Sequence, residues 1–344
     1  MTAEAQAETA LTEQLRIGAL DLCDLVLTPD RFPEWRAAAE STPLAALLVA
    51  EPDIGERNAN RVLGSSQLRP DDTLGGLDDD RRAWLSEMVL FWRREMIEVS
   101  REISPKDGFH QKAPKEYFRV GQKSVRRIKI AMLEANVREL TSILDFGCGY
   151  GRVLRALHAS FPQAKLTACD VNRDGVDFCA ETFGATPVYS ADESKDIPLE
   201  GPFDLIWAGS VFSHLSAPRW TDFLGMFESL LAPRGLLVFT AQGHRTATAF
   251  RRREFPWLTQ DRWIEMVETL ATGFREQGFC YQDYPGANWG LALAKPWWIC
   301  AEIERHPELR LLGIREHGWG YQDVVSCMRA DAEEKERTGA HRAP

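Results

Sequence analysis

Three glycines alternate with other residues in the segment DFGCGYGR, which follows the apolar run SIL. Gly147, Gly149 and Gly151 therefore lie where a strand is expected to turn into a helix. Glycine costs chain entropy on folding, so this series indicates that another group comes close to the backbone. A dinucleotide-binding turn has the spacing G-x-G-x-x-G, and this pattern fails by one residue because position 152 is arginine.

Acidic residues stand where three successive strands are expected to end. Asp145 precedes the glycines and could accept from an ammonium group or a bound water. Asp170 closes the second strand, where a carboxylate can bind both hydroxyls of a ribose. Asp192 follows the third strand and could meet an adenine amino group, while the helix beginning at Gly151 would offer free amides to a small carboxylate. Together they predict a ligand with ammonium, carboxylate, ribose and adenine, and no phosphate.

These segments resemble the motifs of class I S-adenosylmethionine-dependent methyltransferases. The matching segments, in the family's motif order, are ILDFGCGYGR, LTACDVN, SADESKDIP, FDLIWAGSVFSHLS and the fifth-strand segment LLAPRGLLVFT. The resemblance covers roughly residues 117–328 and implies S-adenosyl-L-methionine as cofactor. The cofactor-binding residues that it implies are Tyr117, Arg119, Asp145, Gly147, Cys148, Gly149, Gly151, Asp170, Val171, Asp192, Glu193, Gly209 and Ser210.

The resemblance also implies a role for several of these residues. Asp145 and the first two glycines would contact the methionine part, Asp170 the ribose, and Asp192 with Glu193 the adenine. In the segment YFRVG, which is expected to lead into the first helix, Tyr117 or Arg119 would cover the methionine end.

Simpler structural interpretations stay open for these residues. The glycines could only permit tight packing, and Asp170 could only cap the helix that begins at VNRDG. Asp192 could be a loop acid without a ligand, and Arg119 an ordinary solvated charge.

Two histidines are candidates for proton transfer. Methyl transfer from a sulfonium is an in-line displacement, and a hydroxyl or amine acceptor must also lose a proton, for which imidazole is the usual helper near neutral pH. His214 follows the fourth strand in SVFSHLS, and His244 follows the fifth in TAQGHRT. We expect His214 to face the cofactor and His244 to face the acceptor, although either could be a loop histidine that holds backbone.

The sequence mainly excludes certain classes of methyl acceptor. The net charge of −10 and pI near 5.3 disfavour a nucleic-acid surface, and AGSVF stands where base-specific methyltransferases have NPPY or DPPY. No carboxylate-rich metal cluster stands out, so no metal is expected. Aromatic residues of the last third could form a wall against a ring or sugar, or could pack the sheet edge: Tyr281, Tyr284, Trp289, Trp297 and Trp298.

The leading hypothesis is methyl transfer to an oxygen, or a nitrogen, of a small molecule or saccharide. A module that binds S-adenosylmethionine or a related nucleoside without turnover is one alternative. An NAD-dependent oxidoreductase is another.

Strands alternate with helices from about residue 121, which predicts an α/β fold, a parallel sheet with helices on both faces. The resemblance implies that this sheet is Rossmann-like, seven-stranded and mostly parallel. The resemblance adds an antiparallel edge hairpin at GYQDVVSCMR. The predicted domains are a helical N-terminal cap or lid over residues 1–116, the methyltransferase domain over residues 117–328, and a polar tail over residues 329–344.

Composition and segment patterns bear on the cellular setting. The N-terminus has no basic start followed by an apolar stretch, and the longest apolar run is far shorter than a membrane helix. Seven scattered cysteines without a C-x-x-C pair are typical of free thiols. We therefore expect a cytoplasmic protein without a membrane or nucleic-acid partner, and no oligomeric state is indicated.

Overall fold

The computed structural model describes residues 2–17, 19–51, 54–92, 99–255, 261–284 and 289–331. Two compact units are present, residues 1–96 and residues 97–344. No helix in the described ranges is both long and apolar enough to cross a membrane. The predicted polar tail lies outside the described residues except for residues 329–331.

The first unit is helical, as predicted. Its helices are α1 (Ala3–Arg16), α2 (Leu22–Leu27), α3 (Pro33–Ser41), α4 (Leu44–Ala50), α5 (Gly55–Ser65) and α6 (Asp79–Trp92). The Asp21 side chain caps α2 by accepting from the amides of Cys23 and Asp24. Leu11 and Leu15 of α1 and Leu25 of α2 are fully buried, so the apolar spacing in the sequence marks a core face. The role of this region as a cap or lid stays a prediction.

The second unit begins with two helices and continues as alternating strands and helices. Its first half contains α7 (Gly108–Lys112), α8 (Pro114–Glu134), β1 (Ser142–Phe146), α9 (Leu154–Ser160), β2 (Lys165–Asp170), α10 (Arg173–Phe183), β3 (Thr186–Tyr189) and β4 (Phe203–Ala208). Its second half contains α11 (Ala217–Leu230), β5 (Leu231–Ala241), α12 (His244–Arg251), α13 (Asp261–Gln277), β6 (Phe279–Asp283), β7 (Gly290–Ala294), α14 (Pro296–Ile303), β8 (Leu309–Trp319) and β9 (Gln322–Arg329).

Seven of these strands form one sheet in the order β3-β2-β1-β4-β5-β9-β8. Strands β1 to β5 pair in parallel, and β8 and β9 form an antiparallel hairpin at one edge. The prediction of a seven-stranded, mostly parallel sheet with an edge hairpin is confirmed. The chain order reverses between β1 and β4, so a crevice is expected outside the carboxyl ends of these two strands.

Helices cover both faces of this sheet, also as predicted. Neighbouring residues of β1 point to opposite faces: Ile143 packs in one core cluster and Leu144 in the other. The first cluster includes side chains of α8, α9 and α10, and the second includes side chains of α11 and α14. The central strands β1, β4 and β5 are therefore largely buried on both sides, which fixes their register against their neighbours.

One helix start differs from the sequence-based expectation. The segment YFRVG was expected to precede the first helix, but it lies inside α8, which begins at Pro114. A β-carbon at Gly121 would lie 2.7 Å from the Arg152 carbonyl oxygen. This glycine lets α8 approach the loop after β1 and does not end the helix.

The segment between β5 and α14 also holds more structure than the sequence revealed. Helices α12 and α13 and strand β7 were not predicted. Strand β7, with the sequence GLALA, is buried at all five positions, and so short an apolar run has no readable period. It pairs antiparallel with β6 in a separate two-stranded sheet.

The loop after β1 depends on the missing side chain of Gly151. Its φ is +74°, and a β-carbon there would lie 2.7 Å from Cε2 of Phe183. Gly151→Ala should lower the free energy of unfolding by roughly 2–5 kcal/mol, since left-handed strain and overpacking add. Urea denaturation measures this loss.

Gly184→Ala is the matched control for this substitution. Gly184 has φ +66°, but no atom lies within 4 Å of its would-be β-carbon, so only about 1–2 kcal/mol of strain is expected. Equal losses in the two variants would contradict the packing role of Gly151.

Candidate functional site

The glycine loop, residues 147–153, joins β1 to α9 at the reversal in strand order. Gly147, Gly149 and Gly151 all have φ in the left-handed region, at +82°, +50° and +74°. A β-carbon at Gly147 would lie 2.9 Å from Cγ2 of Val211, so this glycine, like Gly151, permits packing inside the protein. At Gly149 no atom lies within 4 Å of such a carbon. Only Gly149 therefore leaves open space for another molecule.

The loop's backbone amides are largely committed to partners within the protein. Gly147 and Cys148 both donate to the Cys169 carbonyl, at 2.8 and 3.2 Å, and Gly151 donates to the Cys148 carbonyl at 2.9 Å. Helix α9 begins at Leu154, not at Gly151 as predicted. The loop thus offers a ligand carboxylate fewer free amides than the sequence suggested.

Asp170 ends β2 with its carboxylate turned toward the glycine loop. Its Oδ2 accepts from the Gly149 amide and its Oδ1 from the Asn172 amide, both at 2.8 Å. Asn172, not Asp170, is the N-cap of α10. Each Asp170 oxygen keeps a further lone pair, so the carboxylate can accept two ligand hydroxyls. The neighbouring Val171 is 66% exposed, which leaves an apolar side chain uncovered at the same edge.

Asp145 is buried at the end of β1, with only 1% of its surface exposed. Its Oδ2 has no hydrogen-bond partner among the described residues. Burial and the nearby Asp170 carboxylate raise the pKa of Asp145 to about 7, while Arg152 and the Leu154 amide act against this rise. A buried carboxylate oxygen without a donor costs free energy, and a cationic or hydrogen-bonding ligand would remove that cost.

A cavity of about 440 Å³ lies along the carboxyl edge of the sheet. Its lining residues are Phe146, Gly147, Asp170, Val171, Ser190, Ala191, Asp192, Val211, His214, Leu215, Arg219, Phe223 and Trp289. The cavity thus joins the ends of β1, β2 and β3 to the segment after β4. Its size and mixed lining suit a ligand with one polar and one apolar side.

The predicted adenine end is held by an arginine that the sequence analysis missed. The Arg219 guanidinium on α11 donates a short hydrogen bond to the Asp192 carbonyl oxygen and lies 3.9 Å from the Glu193 carboxylate. It therefore links α11 to the loop after β3. The side chain of Glu193 is 56% exposed, and only Asp192 of the two lines the cavity.

His214 lines the cavity from the segment after β4. Its Nδ1 lies 2.7 Å from the carbonyl oxygen of Gly290 in β7. A carbonyl can only accept, so Nδ1 carries the proton and Nε2 presents a lone pair. Burial lowers the pKa of His214, with the Gly290 hydrogen bond acting against this, so the ring is neutral near pH 7. His214 both holds backbone and faces the cavity.

His244 has a different environment. It is exposed at the first position of α12, and its ring meets Phe274 edge-on with centroids 5.1 Å apart. It is not among the residues that line the 440 Å³ cavity. Its role at the acceptor stays a prediction.

The turn after β4 contains the two predicted residues Gly209 and Ser210. A β-carbon at Gly209 would lie 2.7 Å from Nε1 of Trp207. Ser210 has φ +63°, and its amide donates to Thr240 Oγ1 at 2.7 Å while its Oγ accepts from Gln322 Nε2 at 2.6 Å. A strained residue held by β5 and β9 is a feature that functional sites often show.

Tyr117, Arg119 and Cys148 are three of the ten predicted residues that do not line the cavity. Tyr117 is buried on α8 and its hydroxyl donates to the Tyr150 carbonyl at 3.3 Å, so it supports the glycine loop from below. Arg119 is exposed and paired with Glu116. The buried Cys148 thiol donates to the Gly149 carbonyl at 3.5 Å.

The aromatic residues of the last third divide into two groups. Trp289 and Tyr284 flank His214, with ring centroids 5.3 and 6.1 Å from it. Trp298 instead stacks on Phe279 at 4.2 Å, and both partly buried rings pack against a core cluster. The side chain of Trp297 is exposed. The wall interpretation therefore fits the first pair, and the packing interpretation fits Trp298.

The raised pKa of Asp145 predicts a pH-dependent stability. A carboxyl whose pKa is higher in the folded state than in the unfolded chain favours folding when protonated, and this contribution is lost as pH rises through about 7. Asp145→Asn should therefore become more stable relative to wild type between about pH 4 and 7, by at most about 1.4 kcal/mol per pH unit. Urea unfolding across this range measures the difference, and the exposed Asp222→Asn should show no such trend.

Comparisons with known proteins agree with this geometry. Residues 144–237 match the family described as a methyltransferase domain. Over 122 residues the chain is 28% identical to a malonyl-[acyl-carrier protein] O-methyltransferase of Anoxybacillus flavithermus, covering 35% of this chain and 46% of that protein. Over 100 residues it is 30% identical to a fatty-acid O-methyltransferase of Mycolicibacterium smegmatis, covering 28% and 36%.

A solved structure, that of Streptomyces venezuelae DesVI, aligns with 67% of this chain and 100% of its own, with a TM-score of 0.45 and 14% identity. The chain spans about half the length of the first curated relatives that it matches. The matched family covers β1 to β5, which carry the glycine loop, Asp170, Asp192 and His214. As the sequence resemblance predicted, residues 144–237 of the chain match a methyltransferase domain.

Proposed function

We propose that this protein transfers a methyl group from S-adenosylmethionine to an oxygen of a small molecule. The observation that carries the proposal is the Asp145 carboxylate, which is buried and has one oxygen without a hydrogen-bond partner. Asp170, the acid that we propose binds the ribose, is near enough to raise the pKa of Asp145. A cationic group would supply the partner that the Asp145 oxygen lacks. Asp170 and the exposed Val171 suit a nucleoside. Bound S-adenosylmethionine would supply an electrophilic methyl group on its sulfonium.

The strand order gives the cofactor a direction along the sheet edge. Asp192 follows β3, Asp170 ends β2 and Asp145 ends β1, and these strands are successive neighbours. Adenine, ribose and amino acid would follow the same order. The reactive end then lies toward β4, where Ser210 and His214 stand.

His214 is our candidate for the proton acceptor. Its neutral ring with a free Nε2 can take a proton from a hydroxyl while the cavity aligns that oxygen with the methyl group. Trp289 and Tyr284 beside it would pack against the acceptor. His244 is proposed only as a contact on the acceptor side.

The acceptor class is proposed from the named relatives and from the charge of the chain. Two curated relatives are named as O-methyltransferases of malonyl-[acyl-carrier protein] and of fatty acids, which favours oxygen over nitrogen. The net charge of −10 disfavours a nucleic-acid acceptor. The proposed acceptors include saccharides. We also propose a cytoplasmic location, which the free cysteines support.

S-adenosylhomocysteine should raise the melting temperature of the protein. At 100 times its dissociation constant, a ligand that binds only the native state adds about 2.7 kcal/mol. Asp170→Asn should lose most of this gain because a ribose hydroxyl then meets an amide donor. Asp177→Asn, an exposed substitution on α10, should keep it. An unchanged shift in Asp170→Asn would contradict the ribose assignment, and no shift in wild type would contradict the cofactor.

His214→Asn should separate proton transfer from cofactor binding. Asparagine can still donate to the Gly290 carbonyl, but it lacks the basic nitrogen that faces the cavity. With a hydroxyl acceptor, found by incubating a metabolite extract and searching for the mass of one added methyl group, kcat should fall by about 10²–10⁴-fold. Affinity for S-adenosylhomocysteine should change little.

His244→Asn is the matched control for this measurement and should retain most of kcat. A kcat in His214→Asn equal to that of wild type would contradict the role of His214 as base. It would instead favour an acceptor that is already ionised, such as a carboxylate.

A further inference from the structure

The small sheet of β6 and β7 has two outer edges, and its hydrogen bonds show which backbone groups lie on each. In an antiparallel pair, residues whose main-chain groups bond to the partner strand alternate with residues whose groups point away from it. Because Tyr284 donates to the Trp289 carbonyl at 2.9 Å, the even-numbered residues of β6 bond toward β7. The main-chain groups of Phe279, Tyr281 and Asp283 therefore point away from β7.

The outer edge of β7 is bound to the rest of its unit. The Ala294 amide donates to the Gln242 carbonyl at 2.8 Å, and the Gly290 carbonyl lies 2.7 Å from His214 Nδ1. The outer edge of β6 differs, because no main-chain hydrogen bond within the described part of the chain reaches its outward groups at residues 281 and 283. An open strand edge of this kind is a template for pairing with another chain.

A groove of about 670 Å³ lies beside this open edge, between β6 and α13. Residues 279–282 of β6 line one side, and residues of α13 from Glu268 to Gln277 line the other. The helix packs closely on the strand, since a β-carbon at Gly273 would lie 2.6 Å from Cys280 Sγ. Strand addition at an open sheet edge is a recurrent way to bind an extended peptide, and the groove gives its side chains a place beside the helix.

The charges of the groove indicate which peptide would fit. Glu268 and Glu276 line it, and none of the described lining residues is basic. Glu276 also pairs with Arg275 at 3.1 Å, but both side chains are exposed, so this ion pair contributes little and can exchange partners. Lysine or arginine would therefore be attracted to the groove. A second copy of this chain would bring the same two glutamates with its own β6 edge, which disfavours pairing of β6 with itself.

We propose that the open edge of β6 and the adjoining face of α13 bind an extended, basic segment of a partner protein by antiparallel strand addition. The segment would exchange main-chain hydrogen bonds with Tyr281 and Asp283. The groove shares no lining residue with the 440 Å³ cavity, so this inference does not depend on the proposed function.

The alternation of side chains in a strand decides where the basic residues of the segment must lie. Cys280 faces Gly273 of α13, so the segment residue opposite Cys280 shares the α13 face with Glu268 and Glu276. In an antiparallel pair that residue points its own amide away from β6, because Cys280 bonds toward β7. The expected segment thus has a basic residue at every second position, and the residues between them donate their amides to β6.

The test uses three fluorescein-labelled peptides of the sequence TKVKVKT. One is unmodified, one is N-methylated on both valines, and one is N-methylated on the last two lysines. The two methylated peptides have equal charge and equal numbers of methyl groups, but only the first loses amides that should donate to β6. Fluorescence anisotropy would measure binding to the full chain. Glu268→Lys removes a groove acid, and Glu265→Lys on the same helix is its matched control, because Glu265 is exposed and does not line the groove.

The unmodified peptide should bind wild type saturably, with a dissociation constant below about 1 mM. Methylation of the valines should weaken binding by about tenfold or more, because two main-chain hydrogen bonds are lost, whereas methylation of the lysines should change it by less than about twofold. Glu268→Lys should weaken binding by about fivefold, and Glu265→Lys by less than about twofold.

Four results would overturn the inference. One is the absence of saturable binding, and another is equal weakening by the two methylation patterns, which would leave only charge attraction. A third is equal weakening by the two glutamate substitutions, which would place the peptide outside the groove. Sedimentation of wild type supplies the fourth: if the peptide dissociated a dimer, the β6 edge would belong to a second copy of this chain.

Discussion

A carboxylate placed at the end of a central strand, out of reach of water, is costly unless something completes its hydrogen bonding. Asp145 is in this position, because its Oδ2 has no hydrogen-bond donor. The nearby Asp170 carboxylate also raises the pKa of Asp145. The protein tolerates that arrangement because the sheet around it is buried on both faces and firmly registered. The site is therefore a region where the fold retains an unfavourable interaction that a ligand can relieve.

The surrounding elements hold the loop so that it cannot collapse onto this carboxylate. Phe183 on α10 fills the space beside Gly151, and Val211 after β4 fills the space beside Gly147. A β-carbon at Gly175 would lie 2.5 Å from the Gly149 carbonyl oxygen, so α10 also presses on the loop from its first turn. With these approaches fixed, Gly149 is left as the glycine that faces open space. The loop's shape is set before any ligand arrives.

Much of this arrangement could be predicted from the sequence because its signals are local. Strands alternating with helices indicated a parallel sheet, and the acids at strand ends were expected to lie together because parallel strands share one edge. The surroundings of Arg152 could not be predicted, since Phe109 and Trp319 come from α7 and β8, far apart in the chain. The helical state of YFRVG was missed, and Gly121 within it admits a neighbouring backbone, a contact that the sequence does not show. Strand β7 was missed because five apolar residues show no period.

The hydrogen bond between His214 Nδ1 and the Gly290 carbonyl makes the tautomer of this imidazole depend on a main-chain group. Gly290 sits where a β-carbon would be 2.1 Å from the Gln282 carbonyl oxygen, so any larger residue would displace the strand. The distance between the two backbone segments thus fixes the tautomer of His214. Because the partner of its Nδ1 is a backbone carbonyl, the partner cannot be recognised by residue type. A substitution at position 290, which offers no reactive group of its own, would alter acid–base behaviour in the neighbouring cavity as directly as replacing the histidine.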